Sequence, residues 1–299
     1  MISSLITRAK TSAPLFLILA TLGWGGNTIA SRLAVGEVSP MMLIFLRWAM
    51  VVGLVVALYG RQMIAAWPIL KPRLIWIALM GAFGMTCFNA LFYIAAHSTT
   101  AVNLGIIQST MPGLILFGSF IFFGTRINYR QTIGLLIAFI GVIVVVTKGQ
   151  WAQLIGLTLN SGDLLMLTAC LFYSGYTLGL RNRPKVDSMV MMGYFAIVAW
   201  IATIPMVAIE HVTYGTLMPG FKGWMVLLYI AIMPSFLSQV FFMKGVDLVG
   251  PGAAGLYANL VPIFSAIMAV LILNESFQMF HLVALTFVFV GIYLFEIKK

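Results

Sequence analysis

The sequence predicts an all-α membrane protein of ten transmembrane helices, arranged as two inverted five-helix repeats around a central cavity. Three observations carry that prediction. First, the chain is 62% hydrophobic and 8% charged, with a mean hydropathy of +1.07, where a soluble domain carries roughly 25% charged residues. Second, the apolar runs have the length of membrane helices, about 20 residues, and lipid offers an unpaired backbone no partner. The alternating polarity of a β-barrel is absent. Third, the stretch from Ala101 to Val146 returns 150 residues later, with Gly105, Pro112 and Gly141 reappearing as Gly255, Pro262 and Gly291. A matched proline inside two apolar runs is the informative part.

The repeat also covers the start of each half. Ser12, Leu15, Ala20, Leu22, Gly26, Thr28 and Arg32 match Ser161, Leu164, Ala169, Leu171, Gly175, Thr177 and Arg181 at an offset of 149. Residues 1–149 are therefore read as the first five-helix repeat and 150–299 as the second. In order, the spans are expected at 14–33, 40–60, 73–95, 101–123 and 128–147, then 162–181, 188–209, 223–243, 251–273 and 278–296. The first follows Arg8 and Lys10, as a signal peptide would, but its length favours a retained span.

Basic residues fall unevenly between these spans. One set of alternate loops holds 13, from Arg8 and Lys10 through Arg61, Lys71, Arg73, Arg126, Arg130, Arg181, Arg183, Lys185 and Lys244 to Lys298 and Lys299; the other holds Arg32, Lys148 and Lys222. The positive-inside rule then puts both termini in the cytoplasm. Five spans per half is an odd number, so the second half enters the membrane from the opposite side. Inverted repeats recur in secondary transporters, with substrate near the midplane between the halves.

Several function classes drop out. No polar segment is long enough for a soluble domain, and the formal charge of +10 is spread over short loops, which argues for topology rather than nucleic acid. No Walker loop is present. His97, His211 and His281 are far apart and Cys87 and Cys170 sit in apolar runs, so neither a metal site, a cofactor nor a disulfide is expected. No acid/base pair suits hydrolysis, and the chain is not expected to be an enzyme.

Candidate substrate contacts are the polar and aromatic residues inside spans. Asn89, Tyr93 and His97 recur every four residues and share one helical face, and Gln239, beside Ser238, stands 150 residues after Asn89. Such amides either line a cavity or hydrogen-bond between packed helices. Span four aligns Gly105, Ser109 and Pro112, with Gln108 alongside, and span nine aligns Gly255, Asn259 and Pro262. Each proline leaves a carbonyl one turn earlier without its donor and is a candidate bending point, while the glycines equally serve close packing. Trp24 and Asn27 in span one, Tyr173 and Tyr176 in span six and Tyr257 in span nine suit amphipathic molecules bearing an ammonium, or ordinary helix packing. Arg47 is the one basic residue inside span two and either attracts a carboxylate, pairs with a carbonyl or snorkels. No span carries a clear mid-membrane acid; Asp163 and Glu275 fall at span ends.

Gly23-Trp24-Gly25-Gly26-Asn27, Phe45-Leu46-Arg47-Trp48, the stretch Ala90 to Ala101, the paired Pro112 and Pro262, and Asn274-Glu275-Ser276 followed by Gly291 resemble the drug/metabolite transporter superfamily in its EamA-type ten-helix form. The likeness covers nearly the whole chain and is nearest in pattern to bacterial exporters of amino acids, aromatic ones included. It departs at Gly124-Thr125-Arg126, where family members often carry an acid equivalent to Glu275. The resemblance implies a secondary transporter of the bacterial inner membrane, with a small-molecule substrate and lipid as its partners, whether monomer or homodimer. Drug or nucleoside export on the same fold and an intramembrane lipid-modifying enzyme are the alternatives.

Overall fold

The structure, a computed structural model, describes residues 12–96, 98–99, 101–155, 160–273 and 276–297, and all regular elements among them are helical. His97, Asn274, Glu275, Arg8, Lys10, Lys298 and Lys299, named above, lie outside the described residues. In chain order the α-helices are α1 (Ala13–Ala34), α2 (Pro40–Leu70), α3 (Leu74–Gly81), α4 (Phe88–Ala96), α5 (Ala101–Gln108), α6 (Met111–Phe123) and α7 (Tyr129–Val146). They continue as α8 (Ala152–Ile155), α9 (Ser161–Gly179), α10 (Ser188–Tyr214), α11 (Phe221–Ile230), α12 (Ser238–Leu256), α13 (Leu260–Leu273) and α14 (Met279–Glu296).

Among the described residues, seven helical segments are long and apolar enough to cross a membrane. Their outer faces carry exposed large apolar side chains such as Ile64, Ile75, Phe122 and Leu271, which is what contact with lipid requires. Two segments, Pro40–Ala95 and Phe221–Ile272, run to 56 and 52 residues, roughly 80 Å each at the helical rise if straight, against a hydrocarbon core of about 30 Å. Neither is straight. Along α10, α2 places Met63 by Tyr194, Phe45 by Trp200 and Met41 by Glu210, so the two run antiparallel. α3 places Trp76 by Phe195 and Gly81 by Val198, so it runs the other way. The chain thus reverses at the 3₁₀ turn Lys71–Arg73. Likewise α11 and α12 descend α1, from Tyr229 at Gly26 to Leu17 at Gly245, and the next reversal falls at Gly250, whose φ of 80° breaks the helix.

The expected end of the second span at residue 60 is corrected: α2 continues to Leu70. Arg61 and Gln62 interrupt hydropathy, but both are good helix formers, and only Lys71-Pro72 stops the coil. Span four is interrupted close to Pro112, since α5 ends at Gln108 and α6 starts at Met111. Span nine has the same interruption at the 3₁₀ turn Tyr257–Asn259.

Close packing is set by small residues. α7 and α14 run antiparallel: a Cβ on Gly134 would lie 2.5 Å from the Gly291 carbonyl oxygen, and one on Gly141 would lie 2.9 Å from that of Ala284. α1 presents Gly25 to the backbone of Phe264 and Ser265 in α13. α2 gains its N-terminal cap from another helix, because Glu210 of α10 accepts from the amides of Met41 and Met42 at 3.0 and 3.1 Å. Gly291→Ala is expected to destabilise the protein by about 1–3 kcal/mol, as overpacking does, read as a lower Tm in detergent. Gly113→Ala, whose Cβ would meet only Leu135 at 3.7 Å, is the control and should leave Tm in place.

Candidate functional site

Two stretches, Ala82–Cys87 between α3 and α4 and Ala231–Leu237 between α11 and α12, wind as π-helix. Such turns free backbone groups that need new partners. In the second stretch Pro234 has no N–H to offer the Ile230 carbonyl, and the Ser235 hydroxyl donates to that carbonyl at 2.6 Å instead. Ser235 in turn accepts from Nε of Arg47 at 2.9 Å, and the Trp24 indole donates to the Pro234 carbonyl at 3.1 Å. In the first stretch Thr86, 149 residues before Ser235, instead bonds to a neighbouring helix, its hydroxyl donating to the Ala199 carbonyl of α10 at 2.9 Å, while the Asn89 amide donates to the Met85 carbonyl.

Around these turns lies an aromatic cluster. Tyr173 sits 5.9 Å from Trp24, 5.1 Å from Phe88 and 5.4 Å from Tyr176, centroid to centroid, and Phe242 closes the group at 5.1 Å from Trp24. Gly84 is required here, since a Cβ would strike the Tyr176 ring at 2.5 Å. Within and beside the cluster, the Tyr176 hydroxyl and Oδ1 of Asn27 are buried without hydrogen-bond partners, and the buried Tyr173 hydroxyl faces Gln239.

Two cavities occupy opposite ends of the bundle. The larger, about 900 Å³, lies at the C-terminal ends of α1 and α7 and is walled by Gln108 and Ser109 of the α5–α6 break, Asn259 of the 3₁₀ turn, and Pro262, Ser265 and Ala269 of α13. Arg32, Lys148 and His281 stand at its outer end. The smaller, about 460 Å³, lies where α7 begins and α6 ends, with Ser119, Thr125, Gln131, Arg181 and Asp247 in its wall. Leu116, Ser119 and Gln131 of the small cavity, advanced by 150, become Ala266, Ala269 and His281 of the large one, and Arg181 minus 149 is Arg32. Between the cavities α6 packs on α12, where a Cβ on Gly255 would lie 2.7 Å from Cδ1 of Ile115. Arg183 holds Asp247 in a bidentate ion pair beside the small cavity.

The residues expected at the site thus divide. Gln108, Asn259 and Pro262 line the large cavity. Trp24, Tyr173 and Tyr176 meet in the aromatic cluster, with Gln239 facing Tyr173. Asn89 is turned onto its own helix, Tyr93 packs edge-on against Phe92, and Tyr257 is buried. Gly105 lies in α5. Pro112 and Pro262 stand second and third in α6 and α13, after the breaks rather than inside a continuous helix; a helix start leaves amides unpaired anyway, so proline costs little there. The sequence reading passed over the π-turns, Ser235 and Ser119. Pro234 inside an apolar run was the available signal for the second turn.

Asn259 is the most telling single residue. It is 1% exposed, lines the large cavity, and neither Oδ1 nor Nδ2 has a partner. An amide left so costs about 1–3 kcal/mol per unpaired group, which a ligand or water in the cavity would offset. Among the described residues no group of histidine, cysteine and acid side chains is placed to hold a metal.

A multi-pass helical bundle with a sizeable internal cavity is the build of a membrane protein that handles a small molecule. The chain belongs to the EamA-like transporter family, which it matches over residues 11–147 and 160–297. It is 23% identical to the Uncharacterized transporter YetK of Bacillus subtilis, over 92% of this chain and 84% of that one. It is 26% identical to an uncharacterized transporter of Archaeoglobus fulgidus, over 95% and 97% of the two chains. With a Probable amino-acid metabolite efflux pump of Escherichia coli it shares 22% identity, over 93% and 92%. A solved crystal structure superposes with a TM-score of 0.73 at 20% identity, covering 95% of this chain and 96% of the other, which establishes the fold alone.

Asn259→Leu removes the two unpaired groups and no protein hydrogen bond. The expected outcome is an unchanged or raised Tm together with at least a tenfold loss of transport, the pattern of a residue kept for function at a cost in stability. Differential scanning fluorimetry and proteoliposome uptake on one preparation check it.

Proposed function

We propose that the protein is a secondary transporter that exports small amphipathic metabolites, amino acids including aromatic ones first among them, by alternating access. On this reading the chain crosses the membrane ten times as two inverted halves, 1–149 and 150–299. Both termini lie in the cytoplasm of a bacterium, beneath its inner membrane. The observation that carries the proposal is the pair of end cavities whose linings correspond at an offset of 149 or 150 residues. A protein working by exchange of two equivalent halves needs such a pair, one enlarged while the other is reduced. The antiparallel run of α7 against α14 and of α2 against α10 supports the inversion.

The excess of basic loops marks the small-cavity face as cytoplasmic, so the state described here opens outward. The Arg183–Asp247 pair then closes the inner face, and export requires it to part in every cycle. The amino-acid reading draws on the efflux pump named above and on the aromatic and amide groups at the centre.

Counterflow in proteoliposomes tests the function. Preloaded unlabelled phenylalanine should drive transient accumulation of labelled phenylalanine, with a neutral sugar as control; accumulation of labelled drugs or nucleosides in its place would move the substrate class. Sidedness is read by thiol labelling in a Cys87→Ala, Cys170→Ala background. Ser265→Cys should react with an impermeant maleimide from outside the cell several times faster than Ser119→Cys, and the reverse order would overturn the assigned orientation.

A further inference from the structure

Arg47 stands seven residues into α2, about 10 Å along the helix from its Pro40 end by the helical rise, and is only 4% exposed. Its Nε is committed to Ser235, while NH1 is buried without a partner. Acids that could neutralise it are engaged elsewhere among the described residues. Glu37 pairs with Lys222, Asp163 with Thr99 and Asn160, Asp247 with Arg183, and Glu210 and Asp187 bond helix N-termini. Trp48 lies beneath the guanidinium at 5.2 Å, and Tyr93 is within electrostatic range of it.

Holding the π-turn does not explain the charge. The equivalent turn is held by a neutral group, since Thr86 reaches the backbone carbonyl of Ala199. The position 149 residues after Arg47 is Ala196. A lone buried cation within a membrane helix is costly unless an anion completes it. The two halves differ here by one charge, as they would if the ligand carried a charge at one end only.

We propose that Arg47 is the carboxylate-binding residue of the transport site: NH1, aimed by the Ser235 bond to Nε, receives the carboxylate of an organic acid or amino acid. This assignment rests on the transporter reading above and names the substrate feature that the site selects. Ser235 is a positioning residue.

Binding is measured on the purified full chain in detergent by thermal shift, so that it does not depend on transport. The probes are phenylalanine, 3-phenylpropionate and phenylalaninamide. In the native protein the two carboxylates should bind about tenfold or more tighter than the amide, the scale of a charge-assisted hydrogen bond. Arg47→Gln should bring that ratio to about one, and Arg47→Lys should keep part of it, lacking the planar fork. If Arg47→Gln does not fold, Ser235→Ala serves, with a severalfold fall in the ratio expected. An undiminished preference for carboxylate in a folded Arg47→Gln protein, or a native protein indifferent to the carboxylate, overturns the assignment. Carboxylate-selective binding without counterflow would leave Arg47 assigned and sink the transport reading instead.

Discussion

In hydrocarbon no water pairs a backbone group that a helix has released, and this constraint organises the centre of the molecule. Pro234 deprives the Ile230 carbonyl of its donor, Ser235 supplies one, and Arg47 and Trp24 reach the same turn from two other helices. One missing N–H thereby fixes the relative positions of α1, α2 and the Ala231–Leu237 turn. The aromatic cluster, with Tyr173 facing Gln239 and with the unpaired Oδ1 of Asn27 beside it, is assembled on that frame. Irregular backbone in a membrane is tolerated where protein encloses it or where it lines a cavity, and the breaks at Ser109 and Asn259 meet the second condition.

Much of this was legible in the residues themselves. Hydropathy located the apolar helices because lipid leaves the chain little choice, and the matched Pro112 and Pro262 marked two places where the helices are interrupted. Helix ends were less legible. α2 continues past Arg61 because helix propensity, and not hydropathy, decides where a coil stops. The grouping of Trp24 with Tyr173 and Tyr176 followed from their periodicity and repeat position. Asn89 was not so readable: its amide folds back on Met85 because the π-turn exposes that carbonyl, and no sequence spacing announces a π-turn. Glu210 was invisible as a helix cap, since its partners Met41 and Met42 lie about 170 residues away.

The charged groups follow one rule with one exception. Described acids sit near helix ends or in connections, where they meet amides or basic partners, and the described basic residues other than Arg47 stay out of the buried core. Among the described basic residues Arg47 alone is buried, with its Nε tethered to Ser235 and the Trp48 ring beneath its guanidinium. Asn259, by contrast, carries its unpaired amide in the wall of the large cavity.

The α7–α14 seam has a property that the α6–α12 contact lacks. Gly134 meets Gly291 and Gly141 meets Ala284, and moving 150 residues along the chain turns the first pair into the second. The seam is its own counterpart. The α6–α12 contact of Ile115 with Gly255 joins helices that do not exchange with each other at that offset, since 150 residues after Ile115 comes Ser265 of α13, in the wall of the large cavity. In the proposed cycle, a self-equivalent seam reads the same from either side and can stay shut throughout, while the α6–α12 contact must part. α7 and α14 would then act as a fixed spine, and a covalent staple across them would be harmless where one across α6 and α12 would stall the machine.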